Sequence, residues 1–163
     1  MSGGRATTRD EVNISIENPD SPLALGLLEH YYSELATRFP EGFDLERTIT
    51  APSAELRPPR GAFLVAHVDG RPVGCGAVRK LDDTTGEIKR MWVSPQARGH
   101  GLGRRLLGAL EATAVELGCA TVRLDTSAHL TEAIALYRSA GYEEIPAYND
   151  NGYAAFWFER HLT

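Results

Sequence analysis

Hydrophobic and polar residues alternate with a period of two in several segments of the chain, a pattern typical of β-strands. The clearest case is GAFLVAHVDGRPVGCGAVRKL, where two such segments flank Asp69-Gly70, and this arrangement predicts a β-hairpin. The next segment, EIKRMWVS, is predicted to be a third strand that ends before Pro95. Shorter strands are predicted for residues 12–17, for TVRLDTS and for residues 153–159.

A helical period of hydrophobic residues marks three other segments. Ser21 and Pro22 open the first, LALGLLEHYYSELATRF, as an N-cap and a first-turn proline. The other two helices are predicted at about 102–117, ended by Gly118, and at 131–140, capped by Thr131 and ended by Gly141.

Residues 40–60 contain four prolines and a glycine, which predicts a loop with one short helix. A long connection in a compact domain is often functional, so this one is a candidate wall of a substrate site. The predicted element order is β-α-loop-β-β-β-α-β-α-β. Because hairpins come first and β-α-β crossovers follow, the sheet is expected to be mixed.

The length of 163 residues fits a single domain over 12–163, preceded by a flexible segment over 1–11. No apolar run is long enough to span a membrane, and the first residues do not resemble a secretory signal. We therefore expect a cytoplasmic protein with no membrane partner.

The charge of the chain is unevenly distributed. The net charge is −5, which argues against a broad nucleic-acid surface. Residues 88–105 nevertheless contain five basic and no acidic residues, so the rest of the chain sums to −10. An acidic protein with one basic island suggests a specific anionic ligand at that island. A solvated charged face is the alternative.

Cysteine and histidine usage points away from metal chemistry. Cys75 and Cys119 do not form a CxxC pair, and their number fits a reducing compartment and burial in the core. The five histidines show no HxxxH or HxH spacing, so no metal site is expected.

The basic island includes an unusual glycine-rich turn, QARGHGLGRR, between a predicted strand and a predicted helix. A helix N-terminus presents unpaired N–H groups, and glycines before it let an anion approach the backbone closely. Arginines beside it add charge-assisted hydrogen bonds. The turn is therefore a candidate phosphate site. It lacks the lysine and hydroxyl of a P-loop, and it lacks the third glycine of the dinucleotide fingerprint.

The pattern Arg-x-x-Gly-x-Gly, formed by Arg98, Gly101 and Gly103, resembles the GNAT superfamily of N-acetyltransferases. The similarity extends to the order EIKRMWVSP, RRLLGALEATAVELG, RLDTS and EAIALYRSAGY, over about residues 61–142 and more loosely to both ends. The resemblance implies an acyl-CoA N-acyltransferase fold, in which a mixed, largely antiparallel sheet with a splayed central strand pair is flanked by helices. It also implies acetyl-CoA as co-substrate and no metal.

The resemblance assigns two groups of residues to acetyl-CoA. The backbone of Met91, Trp92 and Val93 would bind the pantetheine arm and polarise the thioester carbonyl. The pyrophosphate would be held by backbone N–H groups of the turn, which comprises Arg98, Gly99, His100, Gly101, Leu102, Gly103 and Arg104. Leu130 stands where the family often has an asparagine that contacts CoA, so that contact is absent or supplied otherwise.

Two catalytic residues are implied by the same resemblance. Tyr137 matches the tyrosine that protonates the departing thiolate, and its alternative is an aromatic residue packed on the sheet. Glu87 matches the glutamate that some members use as a base through a water, and its alternative is a solvated glutamate at a strand end. Strand alternation would place Glu87 on the face of Met91 and Val93. His129, Tyr148 and Tyr153 are alternative candidates for the base. A route through an acylated cysteine is disfavoured.

The expected function is transfer of the acetyl group of acetyl-CoA to a primary amine, directly and within a ternary complex. The acceptor pocket would be formed by Tyr31 and Tyr32, the 40–60 loop and the tail YNDNGYAAFWFE, which suits a small molecule, an amino acid or a peptide terminus. The alternative is a non-catalytic acyl-CoA-binding or sensing module on the same fold. A homodimer is left open.

Overall fold

A mixed seven-stranded sheet organises the computed structural model, which describes residues 11–40 and 52–162. The strands are β1 (Val12–Glu17), β2 (Gly61–Val68), β3 (Arg71–Lys80), β4 (Thr85–Val93), β5 (Thr121–Thr126), β6 (Glu143–Ile145) and β7 (Phe156–His161). The helices are α1 (Pro22–Arg38), α2 (Leu102–Glu116) and α3 (Thr131–Ser139), with short 3₁₀ turns at Ser53–Leu56 and Pro95–Ala97. The predicted N-terminal segment 1–11, except Glu11, and most of the 40–60 loop lie outside the described residues.

The strand order is β1-β2-β3-β4-β5-β7-β6, and every neighbouring pair is antiparallel except β4 and β5. A hairpin through Asp69 and Gly70, both with positive φ, joins β2 to β3 as predicted. The α2 crossover makes β4 and β5 parallel. The predicted fold class, a mixed and largely antiparallel sheet flanked by helices, is confirmed.

The central pair β4 and β5 separates soon after it begins. The two strands pair only at Thr85–Glu87 with Thr121–Arg123, although β4 continues to Val93 and β5 to Thr126. Beyond that point, no strand of the described residues pairs with the β5-facing edge of β4. The predicted splay of the central pair is therefore present, and it opens toward the carboxyl ends of both strands.

A β-bulge in β4 changes which side chains share a face. The β3–β4 register shifts between Cys75 and Ala77, where Arg90 adopts a positive φ of 57°. As a result Met91 and Val93 pack in the core under α2, whereas Trp92 packs with the core under α1. The expectation that Glu87 shares a face with Met91 and Val93 is wrong, because simple alternation ignores the extra residue.

Each face of the sheet has its own core. The α2 side is filled by the leucines of α2 and by sheet residues that include Val78, Val122 and Phe158. The α1 side is smaller and is centred on Phe63, Val65 and their neighbours. The opening between β4 and β5 therefore lies between α1, on one face of the sheet, and α3, on the other.

Helix ends follow the sequence signals with one correction. The Ser21 hydroxyl accepts from the N–H of Ala24, as expected for an N-cap, and Gly118 follows α2 with φ of 98°. In α3 the N-cap is Leu130, not Thr131, and it makes no side-chain capping bond. Thr131 is the first helical residue, so the predicted N-cap was one residue too late in the sequence.

The C-terminal strands depart more from the prediction. β7 begins at Phe156 rather than at residue 153, and the short β6 was not predicted. With three residues, β6 is too short for an alternating pattern to be detected. No helix in the described part of the chain is long and apolar enough to cross a membrane.

Candidate active site

The N-terminus of α2 forms an open backbone cradle. Gly99 and Gly101 have φ values of 86° and 78°, and Gly101 is the N-cap of the helix. The Arg105 N–H closes the first helical turn on the Gly101 carbonyl over 3.1 Å, so the amides at the start of the helix are left to other partners. The Arg98 N–H, by contrast, donates to the Pro95 carbonyl over 3.4 Å. A Cβ on Gly99 or Gly101 would meet no atom within 4 Å. The space beside these glycines therefore fits an anionic group.

A groove of about 410 Å³ leads from this cradle along the splayed part of β4, between α1 and α3. Its lining includes nine of the ten residues predicted to bind the co-substrate, namely Met91, Trp92, Val93, Arg98, Gly99, Gly101, Leu102, Gly103 and Arg104. His100 is exposed and lines a separate groove with Arg105. Its contact with the co-substrate stays a prediction.

The arginine side chains of the cradle are engaged within the protein. Arg98 donates to Glu34 over 2.6 Å and to the Val93 carbonyl over 2.9 Å. Arg104 donates to the Ser139 hydroxyl on α3. Arg104 and Arg105 are nevertheless exposed, so side-chain bonds from these arginines to the anion stay a prediction.

Glu34 connects α1 to the cradle. Its carboxylate accepts from Trp92 Nε1 over 2.9 Å, from Arg98, and from Arg38 over 3.0 Å. Burial would raise the pKa of Glu34, but the hydrogen bonds from Arg98 and Trp92 and the nearby positive charges outweigh it and lower that pKa. Arg38 continues to Glu132 at the start of α3, over 2.7 and 3.2 Å. The chain of contacts ties α1 to both sides of the groove.

A second cavity of about 110 Å³ adjoins the groove. It contains residues predicted for the acceptor pocket, Tyr31 and Tyr32 from α1 and Asn151 and Tyr153 from the tail, together with β4 and β5 residues. The groove and the cavity share five lining residues: Tyr31, Leu35, Met91, Leu130 and Ala133. We call the second cavity the acceptor cavity, and the two meet where β4 and β5 separate.

Tyr137 reaches the acceptor cavity from α3 and is 6% exposed. Its ring packs against Tyr142 and Phe158, with centroids 5.8 and 6.1 Å apart. Its hydroxyl makes no hydrogen bond with any residue that the structure describes. Burial, and secondarily the charge of Asp125, raises the pKa of Tyr137, so the phenol keeps its proton at neutral pH. The residue combines a packed ring with a hydroxyl available to a ligand.

Glu87 is 2% exposed and belongs to a buried charge cluster. Its carboxylate accepts from Arg79 over 3.0 Å and from the Tyr148 hydroxyl over 2.7 Å, and Lys89 Nζ lies 3.5 Å away. Burial and the adjacent Glu87 charge raise the pKa of Tyr148. Lys89 lines the acceptor cavity, whereas Glu87 itself does not. Glu87 as general base stays a prediction, and its description as a solvated glutamate is wrong.

The structure also shows functional candidates that sequence reasoning missed. Asp125 on β5 lines the acceptor cavity, and Glu34 and Arg38 line the groove. Asp125 follows the buried Leu124 in an alternating strand, which was a usable signal. Among the alternative candidates for the base, Tyr153 lines the cavity. The ring of His129 packs edge-on against Phe39, with the ring centroids 5.2 Å apart. No group of three potential metal ligands occurs among the described residues.

Comparison with known proteins gives the family. Residues 27–142 match the model described as the acetyltransferase (GNAT) family. An IAA acetyltransferase of Azospirillum brasilense is 36% identical over 135 residues, covering 82% of this chain and 85% of that protein. An aminoglycoside N(6')-acetyltransferase type 1 of Stenotrophomonas maltophilia is 33% identical over 90 residues, covering 50% of this chain and 59% of that protein.

Among solved structures, a protein of Klebsiella pneumoniae subsp. pneumoniae assigned as an acyl-CoA N-acyltransferase is 31% identical. The superposition has a TM-score of 0.76 and covers 93% of this chain and 98% of that one. Residues 27–142, which match the family model, contain the splayed strands, the glycine turn and Tyr137. The chain belongs to the GNAT family and is an N-acetyltransferase.

Proposed function

We propose that the protein transfers the acetyl group of acetyl-CoA to a primary amine of a small molecule, an amino acid or a peptide, directly and within a ternary complex. The observation that carries the proposal is the junction of two sites. The groove begins at the N-terminus of α2, whose amides suit an anion, and it ends at the acceptor cavity. The thioester of a co-substrate bound in the groove would therefore contact an amine bound in that cavity.

The groove suits the shape and charge of the co-substrate. The diphosphate would lie on the amides of residues 99–104, and the pantetheine arm would follow Met91, Trp92 and Val93 along the part of β4 that β5 does not pair with. Backbone N–H groups on that part of β4 would polarise the thioester carbonyl, a contribution of typically about 3 kcal/mol to the barrier. Leu130, in place of an asparagine, offers an apolar contact.

The reaction forms a nitrogen–carbon bond and breaks the carbon–sulfur bond. An acceptor that enters as its ammonium ion loses two protons, one to a base before attack and one as the amide forms. The departing sulfur of CoA gains one proton, and the other passes from the base to solvent. Tyr137 would donate to that sulfur, because its hydroxyl lies at the acceptor cavity. A phenol with a raised pKa is a weak acid, so its main contribution is a hydrogen bond that strengthens as negative charge develops.

Glu87 would accept the amine proton through a water. Its carboxylate lies 3.5 Å from Lys89, which lines the cavity, and is already bonded to Arg79 and Tyr148. A proton would therefore have to reach it by a relay through water, because neither Glu87 nor Tyr148 lines the cavity. The aminoglycoside N-acetyltransferase relative supports an amine as acceptor.

The test is release of the CoA thiol from acetyl-CoA with a panel of alkylamines, amino acids, peptides and aminoglycosides, with the acetylated product identified by mass. We expect thiol and acetylated amine in equal amounts for at least one class. Tight binding of acetyl-CoA with no thiol release across the panel would favour the binding-module alternative and contradict the proposal.

A further inference from the structure

The carboxylate of Asp125 lies in the wall of the acceptor cavity and is held by two side-chain amides. Asn149 Nδ2 donates to one of its oxygens over 2.6 Å, and Asn151 Nδ2 donates to the other over 3.1 Å. Both asparagines lie in residues 146–155, which connect β6 to β7. This connection is therefore folded around a single carboxylate.

The orientation of both amides is fixed by what their oxygens accept. Asn149 Oδ1 accepts from Trp157 Nε1 over 3.0 Å and from the Asn151 N–H over 3.2 Å. Asn151 Oδ1 accepts from the Tyr153 N–H over 3.0 Å. With the oxygens used in this way, the two NH₂ groups are the ones that face Asp125. The connection presents donors, not acceptors, to the carboxylate.

The amides satisfy Asp125 without neutralising it. Within residues 11–40 and 52–162, no basic side-chain nitrogen lies within 4.0 Å of its carboxylate oxygens. Arg123, two residues earlier, is paired with Glu159 over 2.7 Å, and Lys89 lies against Glu87. A carboxylate accepts about four hydrogen bonds, and two are made here. Capacity and negative charge therefore remain at the cavity.

The rest of the cavity suits an ammonium group. The rings of Tyr31, Phe39 and Tyr153 contribute to the wall, and aromatic faces attract cations. The basic residues of the lining, Lys89 and Arg90, are on β4, so a cation is directed to the β5 side, where Asp125 lies. A volume of about 110 Å³ is below the roughly 150 Å³ that holds benzene, which limits the buried part of a ligand to a few heavy atoms.

We propose that Asp125 binds the ammonium group of the acceptor and selects small, unhindered amines that are cationic at neutral pH. The acceptor meant here is that of the acetyl transfer proposed above, on which this assignment rests. The charge-assisted bond from ammonium to carboxylate places the nitrogen on the β5 side of the junction, beside the Tyr137 hydroxyl and across from the unpaired edge of β4.

A binding experiment tests the assignment without turnover. The protein saturated with CoA is titrated calorimetrically with propylamine, which is protonated at pH 7, and with 1-propanol as its neutral counterpart. We expect the ammonium ion to bind at least about tenfold more tightly than the alcohol, because hydrogen bonds to charged groups are the stronger ones. Equal binding of ion and alcohol by the wild-type protein would overturn the proposal.

Kinetics of Asp125→Asn give a second test, with Glu159→Gln as a control that removes a carboxylate outside the cavity. Asp125→Asn should raise the KM for propylamine roughly 10- to 100-fold, with little change for 2,2,2-trifluoroethylamine, a small amine that is largely neutral at pH 7. The thermal shift by acetyl-CoA should be retained. An unchanged KM for propylamine, or equal increases for both amines, would contradict the assignment. If no amine supports thiol release, the proposed function fails, while the titration still decides the role of Asp125.

Discussion

The two halves of the site are built in different ways. The anion end of the groove is made by the backbone of one continuous stretch, residues 98–104, where two glycines have positive φ before a helix. The acceptor cavity is made by side chains from α1, β4, β5, α3 and the β6–β7 connection. The first is specified by local sequence, whereas the second exists only once distant segments are brought together by the sheet.

The charged side chains of the groove and of the acceptor cavity also have different partners. In the groove, Arg98 and Arg104 are bonded to Glu34 and Ser139, so they shape the cradle, and the helix amides are left for the anion. In the acceptor cavity, Asp125 is held by uncharged amides and keeps its charge. The groove can therefore bind its ligand through backbone amides, whereas the acceptor cavity depends on the side chain of Asp125.

The largest effect is expected from Gly101→Val, with Gly70→Val as a matched control. The two glycines have similar φ values, 78° and 82°, and a Cβ added to either would meet no atom within 4 Å, so both variants bear similar backbone strain. Only Gly101→Val places a side chain against the diphosphate. It should lose the stabilisation by acetyl-CoA, about 2.7 kcal/mol at 100 times the dissociation constant.

The measurement is thermal unfolding with and without acetyl-CoA. Gly70→Val should unfold at a lower temperature yet keep the full ligand shift. A full shift in Gly101→Val, or loss of the shift in both variants, would show that the cradle is misplaced.

Glu87→Gln should lower the rate at neutral pH roughly 10²-fold, in line with general-base contributions. The loss should shrink at high pH, where the free amine is abundant. Glu55→Gln is the control, since Glu55 binds the same Arg79 over 2.6 Å without contacting the cavity. If the pH–rate profile of Glu87→Gln keeps the wild-type shape, the base lies elsewhere.

Tyr137→Phe removes the hydroxyl and leaves the packed ring. Turnover should fall by about 10²-fold, the low end for a proton donor, because a thiolate is a modest base. Melting temperature should change little, since that hydroxyl has no partner among the described residues. Tyr142→Phe is the control: its hydroxyl bonds Glu111 over 2.7 Å, so it should lose stability and keep turnover. A large loss of melting temperature in Tyr137→Phe would make it a packing residue.

The smallest effect is expected from Glu34→Gln, which weakens the link between α1 and the cradle. We expect a loss of roughly 1–2 kcal/mol in unfolding free energy at pH 7. Because the folded-state pKa of Glu34 is lowered, its contribution is present above the ordinary glutamate pKa and is lost as pH falls through the lowered value. Urea unfolding of both proteins from pH 7 to pH 3 should therefore converge. A constant difference over that range would exclude the charge as the cause.

The elements with strong local signals could be predicted from sequence. Ser21, Gly118 and Asp69-Gly70 marked their helix cap, helix end and hairpin because each acts through the backbone within a few residues. The glycine turn was located for the same reason. The bulge at Arg90 could not be predicted, because its positive φ in a non-glycine residue is imposed by the strand pairing.

The acceptor cavity, which is formed by side chains, was predicted only in part. Tyr31 and the tail were expected near the acceptor. Asp125 was missed although its place after the buried Leu124 was a usable signal, and its bonds to asparagines more than twenty residues away could not be predicted. The buried pairing of Glu87 with Arg79 and Tyr148 was equally invisible, since Tyr148 reaches it from the β6–β7 connection. Contacts across such separations are set by the topology of the sheet.

The junction of groove and acceptor cavity is tested most directly by initial rates measured over a grid of acetyl-CoA and amine concentrations. Direct transfer requires both substrates to be bound at once, so the double-reciprocal lines should intersect. Parallel lines, with thiol released before the amine binds, would indicate an acetylated enzyme and contradict transfer across the β4–β5 opening.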